Sequence, residues 1–312
     1  MNNFKIVFVA IAPLLIYVII GKICSAVNIL DKKTASGIDR LVYNAIMPLN
    51  LFYSIATTDI SSSFNVGIVL FCIILLTVCV FVSDKIVHIF YKDKKVIPVM
   101  TQAMFRSNYS LFGLSVAQNF YGESNTSTIC ILISILVPLL NLYSIYIFEK
   151  EREDNVDLIH IIKRIIKNPL IIGSIIGIVF SLLRIQLPSL LMDTCKKISN
   201  MATPLAMISL GSTLVFTNTI GNKKEIEKVA LFKLVVYALI SVTLAVVIGY
   251  RNIDLLSILL FFGSPCAVSS YSLASEMKCD NELAGQTIVV TTLLSTFTLM
   301  LMMFVLLNMG MI

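Results

Sequence analysis

An internal repeat with an offset of 156 residues is the feature that most constrains what this chain can fold into. When the 312-residue sequence is aligned on itself, the aligned pairs include Pro13 with Pro169, Gly21 with Gly177, Asn44 with Asn200 and Pro48 with Pro204. Apolar helices do not select these residue types by default, so matches among them carry more weight than matches among Leu and Ile. We expect two similar units, residues 1–148 and 168–312, joined by a linker over 149–167.

The composition indicates a membrane protein. The chain is 57% hydrophobic and only 13% charged, whereas soluble proteins carry about 25% charged residues. Its mean hydropathy is +0.92. Crossing a bilayer as a helix takes about 20 apolar residues. Ten such spans are predicted: 6–25, 40–58, 66–90, 98–121, 125–148, 168–184, 198–217, 229–249, 253–277 and 283–309. We therefore predict an all-α membrane protein with ten transmembrane helices.

The basic residues predict the orientation. Of the 24 Lys and Arg residues, 18 fall on one side, five on the other, and Arg106 lies within a span. Lys233 is assigned to the first group, as part of an inner loop. Because cytoplasmic loops are enriched in basic residues, both termini are expected outside and the linker inside. Five spans per half is an odd number, so the two repeats should be inverted.

The linker and the net charge both favour membrane lipid as a partner. The second part of the linker, residues 156–167, has the pattern of a basic amphipathic helix lying on the inner leaflet, although a simple extension of the sixth span fits as well. The net charge of +6 follows from the loop bias, with lipid head groups as the counter-charge. No nucleic acid is needed to explain it.

Two spans, the fourth and the ninth, are interrupted by polar residues at matching places. The segments 101–115 and 261–271 contain Asn108 and Ser264, which align at the repeat offset. Broken helices at corresponding positions of inverted repeats indicate a transport site. Freed backbone groups in a membrane cost several kcal/mol each unless they line a cavity or bind a ligand. The alternative is that the small residues only allow close helix packing.

The motifs around these breaks resemble the auxin efflux carrier family, the PIN-like carriers and their bacterial relatives that include malate and malonate permeases. The matching segments are Asn108–Gly113 with Tyr121-Gly122, Ser264-Pro265 with Leu273–Glu276, and the Asn-x-x-x-Pro patterns at 44–48 and 200–204. The resemblance covers the whole chain. It departs from the family at Ser115 and Ser270, which stand where prolines are usual.

The resemblance implies a scaffold of helices 1, 2, 6 and 7 and a transport bundle of helices 3–5 and 8–10, which move against each other like an elevator. From these motifs and the breaks we predict a substrate site. Its residues are Arg106, Asn108, Tyr109, Ser110, Ser264, Pro265, Ser269, Ser270, Asn44 and Asn200.

Arg106 is the one charge predicted inside a span. A cation there costs about 2.5–3.5 kcal/mol unless it faces a cavity or a partner. Its planar fork suits a substrate carboxylate, but it could instead reach the inner surface or pair with Asp84 or Glu276. All 18 acidic residues lie in loops or near span ends. A coupling ion, Na⁺ or H⁺, would therefore have neutral oxygens as ligands, and no cofactor is expected.

These features predict a secondary carrier of small organic anions, such as malate-like acids, in the cytoplasmic membrane. The sequence contains no phosphate-binding loop of the G-x-x-x-x-G-K-[ST] type and neither an H-E-x-x-H nor a G-x-S-x-G motif, so neither an ATP-driven pump nor an enzyme is expected. Two alternatives stay open: a sodium-coupled symporter of the related bile-acid-symporter architecture, and a membrane sensor that binds a ligand without moving it. The oligomeric state, with a homodimer among the options, and the direction of transport are also open.

Overall fold

The computed structural model describes residues 2–57, 65–122, 126–151, 167, 169–213 and 222–312. Over these residues the regular structure is entirely helical. The helices are α1 Asn2–Ala26, α2 Lys32–Leu41, α3 Met47–Ala56, α4 Val66–Phe90, α5 Ile97–Phe105, α6 Leu114–Tyr121, α7 Ser127–Lys150, α8 Pro169–Leu182, α9 Ser189–Ser199, α10 Ala202–Thr213, α11 Lys223–Ala230, α12 Tyr237–Ile248, α13 Asn252–Gly263, α14 Ser269–Glu276 and α15 Asn281–Asn308. Three wider π-helical turns, Val42–Ile46, Tyr109–Gly113 and Leu231–Val236, join α2 to α3, precede α6 and join α11 to α12.

Within the described residues, four helical stretches are long and apolar enough to cross a membrane: Val66–Phe90, Thr128–Lys150, Lys223–Ile248 and Asn281–Asn308. Large apolar side chains such as Ile74, Phe81 and Leu301 are exposed on them. Exposed apolar faces on such helices are suited to lipid contact. The chain is therefore a multi-pass membrane protein, as predicted. The full set of ten spans in two inverted repeats stays a prediction.

The second predicted span is part of a longer helical run. It begins at Lys32, because the Asp31 carboxylate accepts a hydrogen bond from the Thr34 amide at 2.7 Å and caps the helix. A proline clashes with the carbonyl four residues before it, and Pro48 lies four residues after Asn44. The helix widens into a π-helical turn there, and the Met47 amide donates to the Val42 carbonyl.

Helix α1 packs along α10, and α3 packs along α8. Two glycines allow this approach: a Cβ atom on Gly21 would lie 1.9 Å from the Ile208 carbonyl oxygen, and one on Gly177 would lie 3.0 Å from the Phe52 carbonyl oxygen. Both members of the second contact are offset by 156 from the first (177 − 21 and 208 − 52). The same backbone contact therefore occurs twice between the two halves, with the partners exchanged, as a repeat with this offset would produce.

Both predicted interruptions are present. Helix α5 ends at Phe105 with Arg106 extended, and helical structure resumes at Tyr109. Helix α13 ends at Gly263 with Ser264 extended, and helical structure resumes at Ser269. Pro265 explains the second break, since proline cannot donate to the helix and disfavours a helical residue before it. The amphipathic helix predicted for residues 156–167 of the linker lies outside the described part of the chain, except for Lys167.

Candidate functional site at the two helix breaks

The two helix breaks touch each other. The backbone amide of Asn108 in the first break donates to the carbonyl of Pro265 in the second, at 2.8 Å. The Cys266 thiol donates to the Ala103 carbonyl at 3.0 Å. The ring of Tyr109 packs edge-on against Phe261, with 5.2 Å between the ring centroids. Residues 152 to 163 positions apart, from the pair Tyr109 and Phe261 to the pair Ala103 and Cys266, are thereby brought together at one crossing point.

Arg106 is buried at this crossing, with 7% of the residue exposed. Its Nη1 donates to the Ser144 hydroxyl on α7 and its Nη2 to the Ser269 hydroxyl at the start of α14, both at 2.9 Å. Its Nε has no hydrogen-bond partner. Among the residues that the structure describes, Arg106 has no acidic partner. The guanidinium is solvated by neutral hydroxyls, which leave its charge uncompensated.

Asp84, one of the two carboxylates considered as partners for Arg106, contacts other residues. Its carboxylate forms an ion pair with Lys150 and lies 3.4 Å from Nδ1 of the His88 ring. His88 also pairs with Glu151 at 3.0 Å. These four side chains form a network that joins the C-terminal ends of α4 and α7. The side chain of Glu276, the other candidate, lies outside the described part of the structure.

Several buried polar atoms around the crossing have no hydrogen-bond partner. They are the side-chain amide nitrogens of Asn108 and Gln102 and the hydroxyl oxygens of Thr101, Ser107, Ser264 and Ser270. An unsatisfied buried polar group costs about 1–3 kcal/mol, so native structures hold few of them unless a ligand or water supplies the partner. All six can donate a hydrogen bond. Together with Arg106 they make these two segments of the chain rich in hydrogen-bond donors, the groups that the oxygens of an anion require.

Eight of the ten predicted site residues are brought to this crossing. Arg106, Asn108 and Tyr109 contribute from the first break, with the partly exposed Ser110 beside them. Ser264, Pro265, Ser269 and Ser270 contribute from the second break. Tyr109 is fully buried and supports the site by packing against Phe261.

The other two predicted residues, Asn44 and Asn200, are exposed. The Asn44 amide donates to the Arg40 carbonyl of its own helix at 2.8 Å. This hydrogen bond stabilises the distorted part of the helix before Pro48. Asn200 lies where α9 ends, four residues before Pro204, so the two Asn-x-x-x-Pro patterns mark helix distortions in this structure.

Lys233 corrects the sequence interpretation. It was assigned to an inner loop, but it lies in the π-helical turn between α11 and α12 and is only 2% exposed. Its ammonium donates to the Phe105 carbonyl at 3.4 Å, at the end of α5. The available signal was its position: Lys233 falls four residues inside the predicted span 229–249.

Ser144 and Thr291 were also missed, since one hydroxyl in an apolar helix gives no signal by itself. Ser144 accepts a hydrogen bond from Arg106. Thr291 on α15 accepts one from the Cys266 amide at 3.1 Å, so it satisfies a backbone donor that the second break frees. Only the packing of distant helices reveals these roles.

Comparison with known proteins supports a transport role for this architecture. A family profile described as membrane transport protein matches residues 6–303. An uncharacterised transporter of Methanocaldococcus jannaschii is 25% identical over 313 aligned positions, covering 94% of this chain and 97% of that protein. An uncharacterised transporter of Methanothermobacter thermautotrophicus is 24% identical, with 93% and 95% covered. This is a transporter family and not an enzyme class. The chain therefore belongs to the membrane transport protein family, the auxin efflux carrier family that its motifs resemble.

Proposed function

We propose that the protein is a secondary carrier of small organic anions, with carboxylates as the substrate class. The observation that carries this proposal is Arg106, a buried guanidinium at the meeting point of two broken helices, whose hydrogen bonds to described residues go to the hydroxyls of Ser144 and Ser269. A planar guanidinium binds a carboxylate through two parallel hydrogen bonds, which are shorter and stronger than bonds to neutral acceptors. A substrate carboxylate would supply the negative charge that the described protein groups do not.

The helix ends add to the attraction for an anion. Helix α14 begins at Ser269, and the helical structure after the first break begins at Tyr109. The N-terminal end of a helix carries partial positive charge and free amide groups. The unpartnered donors of Asn108, Ser264 and Ser270 lie in the same region. A carboxylate or a second polar group of the substrate would satisfy them, which gives binding energy and specificity together.

The helix contacts favour an elevator-type movement. Helices α1, α3, α8 and α10 pack through glycine contacts so close that sliding between them is costly, which suits a static scaffold. The contact between Ser115, after the first break, and Thr203 on α10 is a single hydroxyl pair at 2.7 Å. Helix α1 also packs against α6 and α15, and an elevator movement would exchange these contacts together with the hydroxyl pair. We place the carrier in the cytoplasmic membrane with both termini outside, from the loop charges, and propose inverted repeats from the repeated contacts.

The test is binding and exchange of a panel of monocarboxylates and dicarboxylates. The purified protein would be examined by thermal shift and, in proteoliposomes, by uptake of the radiolabelled acid that stabilises it most. Arg106→Gln removes the charge and should lower affinity at least tenfold, about 1.4 kcal/mol. Arg106→Lys should recover part of the affinity, because it keeps the charge and loses the fork. Arg40→Gln, a change of the same type at an exposed position, is the control.

Two results would contradict the proposal. A wild-type protein that binds none of the carboxylates would exclude carboxylates as the substrate class. An Arg106→Gln protein with unchanged affinity and a lower melting temperature would make Arg106 a structural residue. Binding without uptake would favour the sensor alternative.

A further inference from the structure

Lys233 is a second buried cation beside the first break. The π-helical turn Leu231–Val236 directs its side chain inward, where the ammonium reaches the Phe105 carbonyl at 3.4 Å. One turn later, Tyr237 bonds to the Ser83 hydroxyl at 2.7 Å and fixes this helix against α4. In the part of the chain that the structure describes, the ammonium has no carboxylate partner. A buried charge of this kind within a membrane protein marks a functional position by default.

The environment of the ammonium is the C-terminal end of a half-helix. The last carbonyl groups of a helix lack intrahelical donors and carry partial negative charge, which attracts a cation. At the end of α5, the Ala103 carbonyl accepts from the Cys266 thiol and the Phe105 carbonyl accepts from Lys233. Helix breaks in carriers commonly use such carbonyl ends to coordinate a transported Na⁺ or H⁺. In this chain a tethered cation already occupies that position.

We propose that Lys233 is a built-in counter-cation of the crossover. Its ammonium takes the place of a mobile cation at the carbonyl end of α5, so anion binding at the Arg106 site does not require Na⁺. The inference rests on the proposed function and concerns the ion requirement of the same site. Lys233 acts as a positioning residue: it holds the end of α5, and thereby the backbone that carries Arg106 and Asn108.

The geometry also explains why a lysine suits this position. An ammonium is a compact point charge on a flexible stem, comparable in charge to a monovalent metal ion, and it donates in three directions. Removing it while keeping the length of the side chain, as in Lys233→Met, would leave the α5 carbonyls without their cation. A small cation could then enter from solution and restore the interaction.

The experiment compares wild type, Lys233→Met and the control Lys228→Met in chloride salts of Na⁺, Li⁺, K⁺ and N-methyl-D-glucamine. Lys228 lies on the same helical run, with its ammonium over the rings of Phe90 and Tyr91, away from the crossover. The melting temperature is the first readout, because it needs no substrate. Affinity for the carboxylate that stabilises the wild type most is the second.

Wild type and Lys228→Met should melt at the same temperature in all four salts and bind the acid equally well. Lys233→Met should lose about tenfold in affinity in N-methyl-D-glucamine and regain most of it with Na⁺ or Li⁺. A wild type whose acid binding needs Na⁺ overturns the inference, even if Lys233→Met fails to fold. So does a folded Lys233→Met protein that binds equally in all four salts. A wild type that binds no carboxylate contradicts the proposed function instead, and the salt dependence of melting still tests Lys233.

Discussion

The two helix breaks lie at matching places along the sequence and differ in chemistry. The first, at residues 106–108, contains no proline and is surrounded by charge: Arg106 in the break itself and Lys233 at its carbonyl end. The second, at residues 264–268, is built by Pro265 and carries only neutral polar groups. The crossing therefore combines residues of both halves of the chain, and both buried cations, Arg106 and Lys233, lie at the first break.

The difference indicates that the two breaks have different roles. Pro265 imposes the second break through its ring, and its carbonyl then receives the Asn108 amide at 2.8 Å. The first break has no such covalent constraint and depends on the groups that it binds. We infer that the first break determines which ligand is held, whereas the second break shapes the space around it. The predictions below test this comparison, from the largest expected effect to the smallest.

The largest effect is expected at Asn108. Asn108→Leu keeps the size of the side chain and removes an unpartnered buried donor, so it should reduce transport at least hundredfold, about 2.7 kcal/mol. The backbone bond to Pro265 does not involve the side chain, so the fold should persist. Ser264→Ala, at the equivalent place in the second break, should cost less than tenfold. Uptake and melting temperature are measured on both variants. Equal losses of transport would contradict the proposed difference between the two breaks.

The second break should matter more for stability than for affinity. Thr291→Val leaves the buried Cys266 amide without its acceptor and should lower the free energy of unfolding by about 1–3 kcal/mol. Thr298→Val is the matched control, since the Thr298 hydroxyl bonds to a carbonyl of its own helix. Chemical or thermal unfolding in detergent measures both. A Thr291→Val protein that keeps its stability but binds the acid more weakly would assign the second break to ligand binding.

The smallest effect is expected at Ser115, where the family usually has proline. Its hydroxyl donates to the Leu111 carbonyl at 2.6 Å and contacts Thr203 at 2.7 Å. Tyr271, the residue at the equivalent place in the other half, is 48% exposed. Ser115→Ala should cost about 0.5–1.5 kcal/mol of stability and alter the transport rate through the loss of the Thr203 contact.

The control for Ser115 is Ser134→Ala, which removes a hydroxyl bonded only to its own helix. Transport rate and affinity are measured separately in both variants. A Ser115→Ala protein with a lower affinity and an unchanged rate would place this hydroxyl in the ligand site and not between the moving parts.

Much of the fold could be predicted because membrane helices follow local rules. Span 66–90 coincides with helix α4, since a continuous apolar run has one stable conformation in lipid. Both breaks were predicted from Pro265 and from the polar run around Asn108, because these residue types act on their own backbone. The start of the second helix at Lys32 was missed, since a cap by Asp31 can form outside an apolar run as well as inside it.

The residues of the candidate site were likewise predicted from the sequence only in part. Arg106 and Asn108 were identified because a charge or an amide inside an apolar span is visible in the sequence, and Ser264 because it aligns with Asn108 at the repeat offset. Asn44 and Asn200 were included on the same reasoning, but the structure places both side chains on exposed positions near prolines. A polar residue that distorts a helix and one that lines a site give the same local pattern, so the two could not be told apart.

The amino-acid pattern indicated a membrane transporter, which the family comparison confirms, and it predicted two similar halves with one broken helix in each, because hydrophobicity, helix breaking and repetition are properties of neighbouring residues. Only the tertiary structure decided what surrounds the breaks. It brings Ser144 and Ser269 to Arg106, Thr291 to Cys266, and Lys233 to the end of α5. These contacts join residues 25 to 163 positions apart. They depend on how whole helices pack, and no pattern along the chain contains that information.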